Sequence, residues 1–258
     1  MSVLLLQLAG PLQSWGDSSR FVRRETRTEP TKSGVLGLLA CAQGRTREDP
    51  IEDLLGLSFG VRVEQRGRII TDMQTEKSLT RKRGSRNYDH VMPLTYRYYL
   101  ADAKFLVALG ADRTLLETLD EALRNPRWPL YLGRRACPPS FPLTLGIHDE
   151  YDDVRAALEH ESWRASAWYR RRYPTPSLEI VCDADQDGSS GTQADNPLTF
   201  SQQGRRYAGR SVLRYRIDNP DTADGAGRNR GGNDGGQAAG TTPPSFDATG
   251  ADDPMNFA

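Results

Sequence analysis

The chain has 258 residues, 37% hydrophobic and 26% charged, with 34 basic against 34 acidic side chains and a formal net charge of zero. This length suits one large or two small domains, but the apolar share is low for a chain packed throughout. The N-terminal apolar run Val3-Leu4-Leu5-Leu6 follows no basic region and ends at Gln7, too short for a signal peptide or a membrane span.

Neither charge nor apolar content is even along the chain. From Asp218 to Ala258 Gly, Ala, Asp, Asn and Thr dominate, with seven aspartates against Arg228 and Arg230. Such a segment has too little to bury to offset its ordering entropy, and 218–258 is expected to be a disordered acidic tail. The remainder, 1–217, is therefore basic and rich in arginine. A basic, arginine-rich face suits a polyanion, although it also serves simply to keep a protein soluble. Cys41, Cys137 and Cys182 are odd in number and lack metal-ligand spacing, as expected of a reduced, cytoplasmic protein.

Residues 3–9 read as a central strand, apolar on both faces. A turn at Gly10-Pro11 leads to Leu12-Gln13-Ser14-Trp15-Gly16 and a long polar loop with Arg20, Arg23, Arg24 and Arg27. Ser33 is the expected N-cap of a helix running through Val35, Leu36, Leu38, Leu39 and Ala40. Gly34 and Gly37 inside it each cost about 1 kcal/mol relative to Ala, so a neighbouring strand or ligand backbone is expected to come close there. Thr31, Lys32 and Ser33 beside free amides make this helix start a candidate anion site. Lys32-Ser33 lacks the glycines of a P-loop, because Thr31 and Thr26 stand where that motif needs them.

A short helix over Pro50 to Leu55 precedes an alternating strand, Ser58 to Glu64. Arg66-Gly67 reads as a hairpin turn, with Arg68 to Gln74 as the returning strand. Next come Lys77, Arg81, Lys82, Arg83, Arg86, Tyr88 and His90, without apolar periodicity. Strands resume at Tyr96 to Leu100 and Lys104 to Leu109. The excursion, about 75–97, reads either as a basic hairpin arm that clamps a nucleic acid or as a charged loop. Asp112 is the expected cap of a helix with the stripe Leu115, Leu116, Leu119, Ala122 and Leu123, ended by Asn125-Pro126.

Tyr131-Leu132-Gly133-Arg134-Arg135-Ala136-Cys137-Pro138 follows. A glycine admits a close main chain, two arginines can hold phosphates, and a tyrosine offers a face to a base. The plain alternative is a tight turn with solvated arginines. Phe141 to Gly146 reads as a closing strand. The first 150 residues thus have an α+β order that resembles the ferredoxin-like βαββαβ arrangement; such sheets, with helices on one face, often bind single-stranded RNA.

Residues 151–172 contain a helix with Val154, Ala157 and Leu158 on one side and acids at its start, and 151–217 reads as a smaller, β-rich C-terminal part. Tyr169-Arg170-Arg171-Arg172-Tyr173 suits RNA, a protein partner or solvent. Asp183, Asp185 and Asp187 imitate the start of a calcium loop, but Ala194 stands where its final glutamate belongs, so the segment reads as a polar loop. Leu178 to Cys182 and Arg205 to Ile217 read as strands. His90, His148 and His160 sit in no recognisable catalytic motif. Lys82, Tyr88 and His90 form the only set suited to metal-free RNA cleavage. No cofactor is expected.

Three blocks carry a resemblance: Leu8 to Gly16, Pro30 to Leu39, and Pro129 to Pro138. In that order and spacing they are similar to the CasD family of type I-E CRISPR Cascade complexes, strongly over 1–150 and weakly to 217. The resemblance implies a non-catalytic RNA-binding protein with a modified ferredoxin-like (RAMP) domain and a thumb-like hairpin. It implies binding of the 5′ handle of CRISPR RNA beside the backbone RNA-binding subunit and the large PAM-reading subunit, with target DNA met only indirectly and no membrane. The expected RNA contacts are Gln13, Ser14, Trp15 and Arg24; Thr31, Lys32 and Ser33; Arg81, Lys82, Arg83 and Arg86 on the arm; Tyr98; and Tyr131, Gly133, Arg134 and Arg135. A relative in another subtype cleaves RNA, so a metal-independent endoribonuclease acting on precursor CRISPR RNA is the alternative.

Overall fold

The first strand, β1 (Ser2–Ala9), is buried on both sides inside a seven-stranded sheet, as its unbroken apolar run requires. Leu4, Leu6 and Leu8 enter one core cluster, while Val3 and Leu5 enter a second on the opposite face. β1 pairs antiparallel with β7 (Lys104–Ala111) and with β8 (Thr144–His148). β7 pairs with β4 (Ser58–Gln65), and β4 with β9 (Ser177–Asp183). β9 pairs with β11 (Arg206–Asp218), which holds the edge strand β10 (Gly191–Thr199). The order is β10-β11-β9-β4-β7-β1-β8. The computed structural model describes residues 1–16, 22–78, 80, 83–84, 93–174, 177–185, 188–201 and 203–221.

Three helices cover one face. α1 (Lys32–Ala42), the short α2 (Glu52–Leu55) and α3 (Arg113–Arg124) bring Val35, Leu36, Leu39, Leu54, Leu116, Leu119 and Leu123 onto the Leu4/Leu6/Leu8 cluster. The other face is not bare. α4 (Val154–His160) packs Val154, Ala157 and Leu158 against Val3, Leu5, Leu106 and Ala108. The central strands therefore offer no open platform for RNA, a correction to the expectation of helices on one face only.

The helix expected within 151–172 is α4, with Val154, Ala157 and Leu158 buried, and a second helix follows it. α4 stops at His160, and α5 (Ala167–Arg172) starts only after a six-residue break. The cause is Arg62, fully buried on β4. Its guanidinium donates to the carbonyls of Leu158 at 2.7 Å, Glu161 at 2.6 Å and Ser162 at 2.8 Å, and its Nε donates to Glu64 at 2.5 Å. A cation capping the last turn satisfies carbonyls that a continuing helix would have used itself.

A second, smaller sheet stands apart from the first. β5 (Arg68–Gln74) does not return along Ser58–Glu64 as the Arg66-Gly67 turn suggested. It pairs with β6 (Thr95–Ala101) over its full length, from Arg68 opposite Ala101 to Gln74 opposite Thr95. The other edge of β6 takes β2 (Leu12–Gln13) antiparallel and β3 (Arg23–Arg24) parallel. The hairpin's root is thus set by main-chain pairing. Of its tip, Arg81, Lys82, Arg86, Tyr88 and His90 lie outside the described residues, and Arg83 is exposed.

β10 occupies part of a stretch read as polar loop. Its inward positions carry Gln193 and Asp195 rather than apolar residues, which hides the alternation. The ordered chain also runs past residue 217. Asn219 is buried, and Asp221 accepts from the Trp163 amide at 3.1 Å and from Arg170 at 3.0 Å.

Candidate nucleic-acid interface

The 131–138 loop is built from two buried anchors. Leu132 and Cys137 are fully enclosed in the main core, and the Leu132 amide donates to the Cys137 carbonyl at 2.7 Å, closing the loop on itself. The Ser14 amide donates to the Leu132 carbonyl at 3.1 Å, tying the loop to the chain after β1. Gly133 has φ +86°, and a Cβ there would lie 1.7 Å from the Ser14 carbonyl oxygen. Only glycine fits that approach. The sequence reading gave this glycine to a ligand; the structure gives it to Ser14.

The anchors leave Tyr131 and Arg134 half-buried and Arg135 exposed. Arg134 Nη2 donates to the Arg24 carbonyl at 2.6 Å, and its guanidinium carbon lies 4.9 Å from the centre of the buried Tyr99 ring. The loop is therefore joined to the second sheet, where Arg23 and Arg24 are exposed on β3 and Tyr98 is half-buried on β6. Burial pushes the Cys137 thiol up against the partial opposition of Arg134, so this cysteine is an anchor rather than a nucleophile.

Other expected contacts are committed inward. Trp15 is 1% exposed, and its Nε1 donates to Gln13 Oε1 at 3.0 Å. Buried Gln13 donates in turn to the carbonyls of Leu8 at 3.2 Å and Ala103 at 2.8 Å. Buried Ser14 donates through its hydroxyl to the Tyr98 carbonyl at 3.1 Å. The close neighbour that Gly34 implied is the Trp15 ring, 2.8 Å from where a Cβ would sit. Stacking and base-reading roles for Gln13, Ser14 and Trp15 give way to structural ones. They are the joints between β1, α1 and the 131–138 loop.

The start of α1 is likewise occupied by the protein. Thr31, not Ser33, is the N-cap, accepting from the Gly34 amide at 3.2 Å; Ser33 is buried in the first turn. The Lys32 amide donates to Asp195 Oδ2 at 2.9 Å, and its ammonium donates to Asp183 Oδ2 at 3.2 Å. Arg210, from β11, holds both carboxylates: Asp195 at 2.9 Å through two nitrogens and Asp183 at 2.7 Å. Lys32 is 5% exposed and Asp195 is fully buried. The anion predicted for this helix start is present, but it is the chain's own. Asp195 and Arg210 escaped the sequence reading; the only signal was Asp195 and Gln193 at alternate positions of a polar segment.

The two described histidines each have a partner close by in the chain. His148 Nδ1 lies 2.7 Å from Glu150, and the exposed His160 lies 2.8 Å from the Ala156 carbonyl, within its own helix. No group of three or more His, Cys, Asp or Glu suited to a metal occurs among the described residues. None of their helices is long and apolar enough to cross a membrane.

Comparison with known proteins places this geometry in context. The family model described as CRISPR-associated protein (Cas_Cas5) matches residues 3–213. The chain is 35% identical over 178 residues to the CRISPR system Cascade subunit CasD of Escherichia coli (strain K12), covering 62% of this chain and 77% of that protein. Among solved structures, a chain of a CRISPR RNA-guided surveillance complex superposes with TM-score 0.70 at 31% identity, over 85% of this chain and 92% of that one. A Cas protein crystal structure superposes with TM-score 0.63 at 38% identity, over 84% and 95%.

Proposed function

The chain belongs to the CRISPR-associated Cas5 family, and we propose that it is the subunit of a type I-E Cascade complex that grips the 5′ handle of CRISPR RNA without cutting it. The observation that carries this reading is the 131–138 loop. Leu132 and Cys137 are locked into the core, while Arg135 is exposed, Tyr131 and Arg134 are half-buried, and Arg134 reaches the Arg24 carbonyl of β3. A rigidly seated loop that presents cations and a ring is suited to a fixed, splayed RNA segment, which proteins read by phosphate contact and stacking. Target sequence is then left to base pairing.

In this reading Arg134 and Arg135 take handle phosphates and Tyr131 stacks. Arg24 and Tyr98 are further RNA contacts, and the arm residues Arg81, Lys82, Arg83 and Arg86 clamp where handle meets spacer. The protein caps the RNA-bound filament between a backbone RNA-binding subunit and the large PAM-reading subunit, in the cytoplasm, and meets target DNA through them. We read β4-β7-β1-β8, connected through α1 and α3, as the ferredoxin-like unit of such a protein.

The test is a titration of the full chain against labelled repeat RNA, analysed by mobility shift and by a denaturing gel in EDTA. The expected result is a shifted RNA of unchanged length. Shortened RNA would replace this reading with that of a nuclease, and absence of any shift would remove the RNA role.

A further inference from the structure

Arg97 lies mid-strand between tyrosines on β6, where nothing in the sequence marks it out. Alternation on that strand puts its side chain on the same face as Tyr99. Parallel pairing sets Arg24 beside it. Arg134 arrives on this face from the 131–138 loop, bound to the Arg24 carbonyl and seated over the Tyr99 ring. Arg97 and Arg134, from distant parts of the chain, thus share the face of β6 that carries Tyr99.

Among the described residues, neither has an anionic partner. Arg97 Nε and Arg134 Nη1 are buried donors with no acceptor. Asp72, opposite Arg97 on β5, instead accepts from Gln74 at 2.5 Å. Other sheltered arginines are treated differently. Arg45, Arg62 and Arg210 each hold a carboxylate, at 2.5, 2.5 and 2.9 Å; Arg164 also has an unmatched Nε, but its guanidinium holds Glu161 at 2.7 Å. An unmatched buried donor is costly, and a guanidinium fork matches a phosphate.

We propose that Arg97 and Arg134 together hold one phosphate group at the Tyr99 ring. That this phosphate belongs to the backbone of single-stranded RNA rests on the function proposed above; the anion pocket itself does not. Two measurements on the full chain separate the claims: thermal melting with added inorganic phosphate against chloride of equal ionic strength, and RNA affinity as a function of salt. Both are made on the wild type, Arg97→Ala and Arg97→Lys. Phosphate should raise the melting temperature of the wild type and not that of Arg97→Ala. RNA affinity should fall about tenfold in Arg97→Ala, and the slope of log K against log salt should shrink by about 0.7, one single-strand phosphate. Arg97→Lys should keep the slope but recover only part of the affinity, since an ammonium lacks the fork. If Arg97→Ala folds poorly, Arg97→Lys decides: unchanged phosphate response and RNA affinity in that variant would overturn the paired fork. RNA binding indifferent to Arg97, with equal phosphate stabilisation in all three proteins, would overturn the pocket and leave the RNA role standing. Phosphate stabilisation lost in Arg97→Ala, in a chain that binds no RNA, would support the pocket and remove the RNA role.

Discussion

The start of α1 and the 131–138 loop look alike in sequence: each offers cations, small residues and free amides. In the folded protein they are opposites. Lys32 and its amide close on Asp183 and Asp195, more than 150 residues away in the chain. Arg135 stands exposed, and among the described residues Arg134 is met by a carbonyl and a ring rather than a carboxylate. A helix N-terminus advertises donors, and whether it is a site depends on whether the fold brings its own acceptor. Here the acceptor sits on β10 and does structural work, joining the C-terminal strands to α1.

The most forceful way to test that assignment is Asp195→Ala. Asp195 is fully buried and accepts from Arg210 and from the Lys32 amide. Removing it deletes three buried hydrogen bonds, two of them charge-assisted, and leaves Arg210 with Asp183 as its remaining carboxylate; the cost is about 3–5 kcal/mol. Denaturant unfolding should show a loss of this size, with residual soluble protein still able to bind RNA. A loss below about 0.5 kcal/mol, the range of a plain surface substitution, would mean the cluster is not a structural joint.

A smaller effect is expected at Gly133. Its left-handed φ and the 1.7 Å approach to the Ser14 carbonyl predict that Gly133→Ala strains the loop by about 2–3 kcal/mol. The same variant should weaken RNA binding, because the loop that presents Arg134 and Arg135 must move. Lowered stability with unchanged RNA affinity would sever the loop from the interface.

The order of the main elements was legible because periodicity reports burial. β1 reads as apolar on both faces and α3 as one stripe, and both pack that way. Pairing over long sequence distance was not legible. Nothing local tells Arg68–Gln74 to leave β4 for β6, or tells Arg62 to end a helix 96 residues further on. The site shows the same limit. Gly133 and Trp15 signal close contact, but only the fold reveals that their partners are Ser14 and Gly34. Residues with strong local signals were read as ligand contacts when they are joints, whereas Arg97, with no signal, emerges as a candidate contact.

The mildest substitutions sharpen the contrast most. Arg135→Ala removes an exposed side chain, so stability should stay within about 0.5 kcal/mol of the wild type. If Arg135 meets a handle phosphate, the salt slope of RNA binding should drop by about 0.7. Lys32→Met is its mirror image. It deletes a 5%-exposed ammonium that serves Asp183, so it should lower the melting temperature and leave the salt slope alone. Paired side by side, the two variants exchange phenotypes if the regions differ as described. A Lys32→Met protein that melts like the wild type but loses one phosphate from its slope would reverse the assignment, because Asp183 would then be a placeholder that RNA displaces from α1.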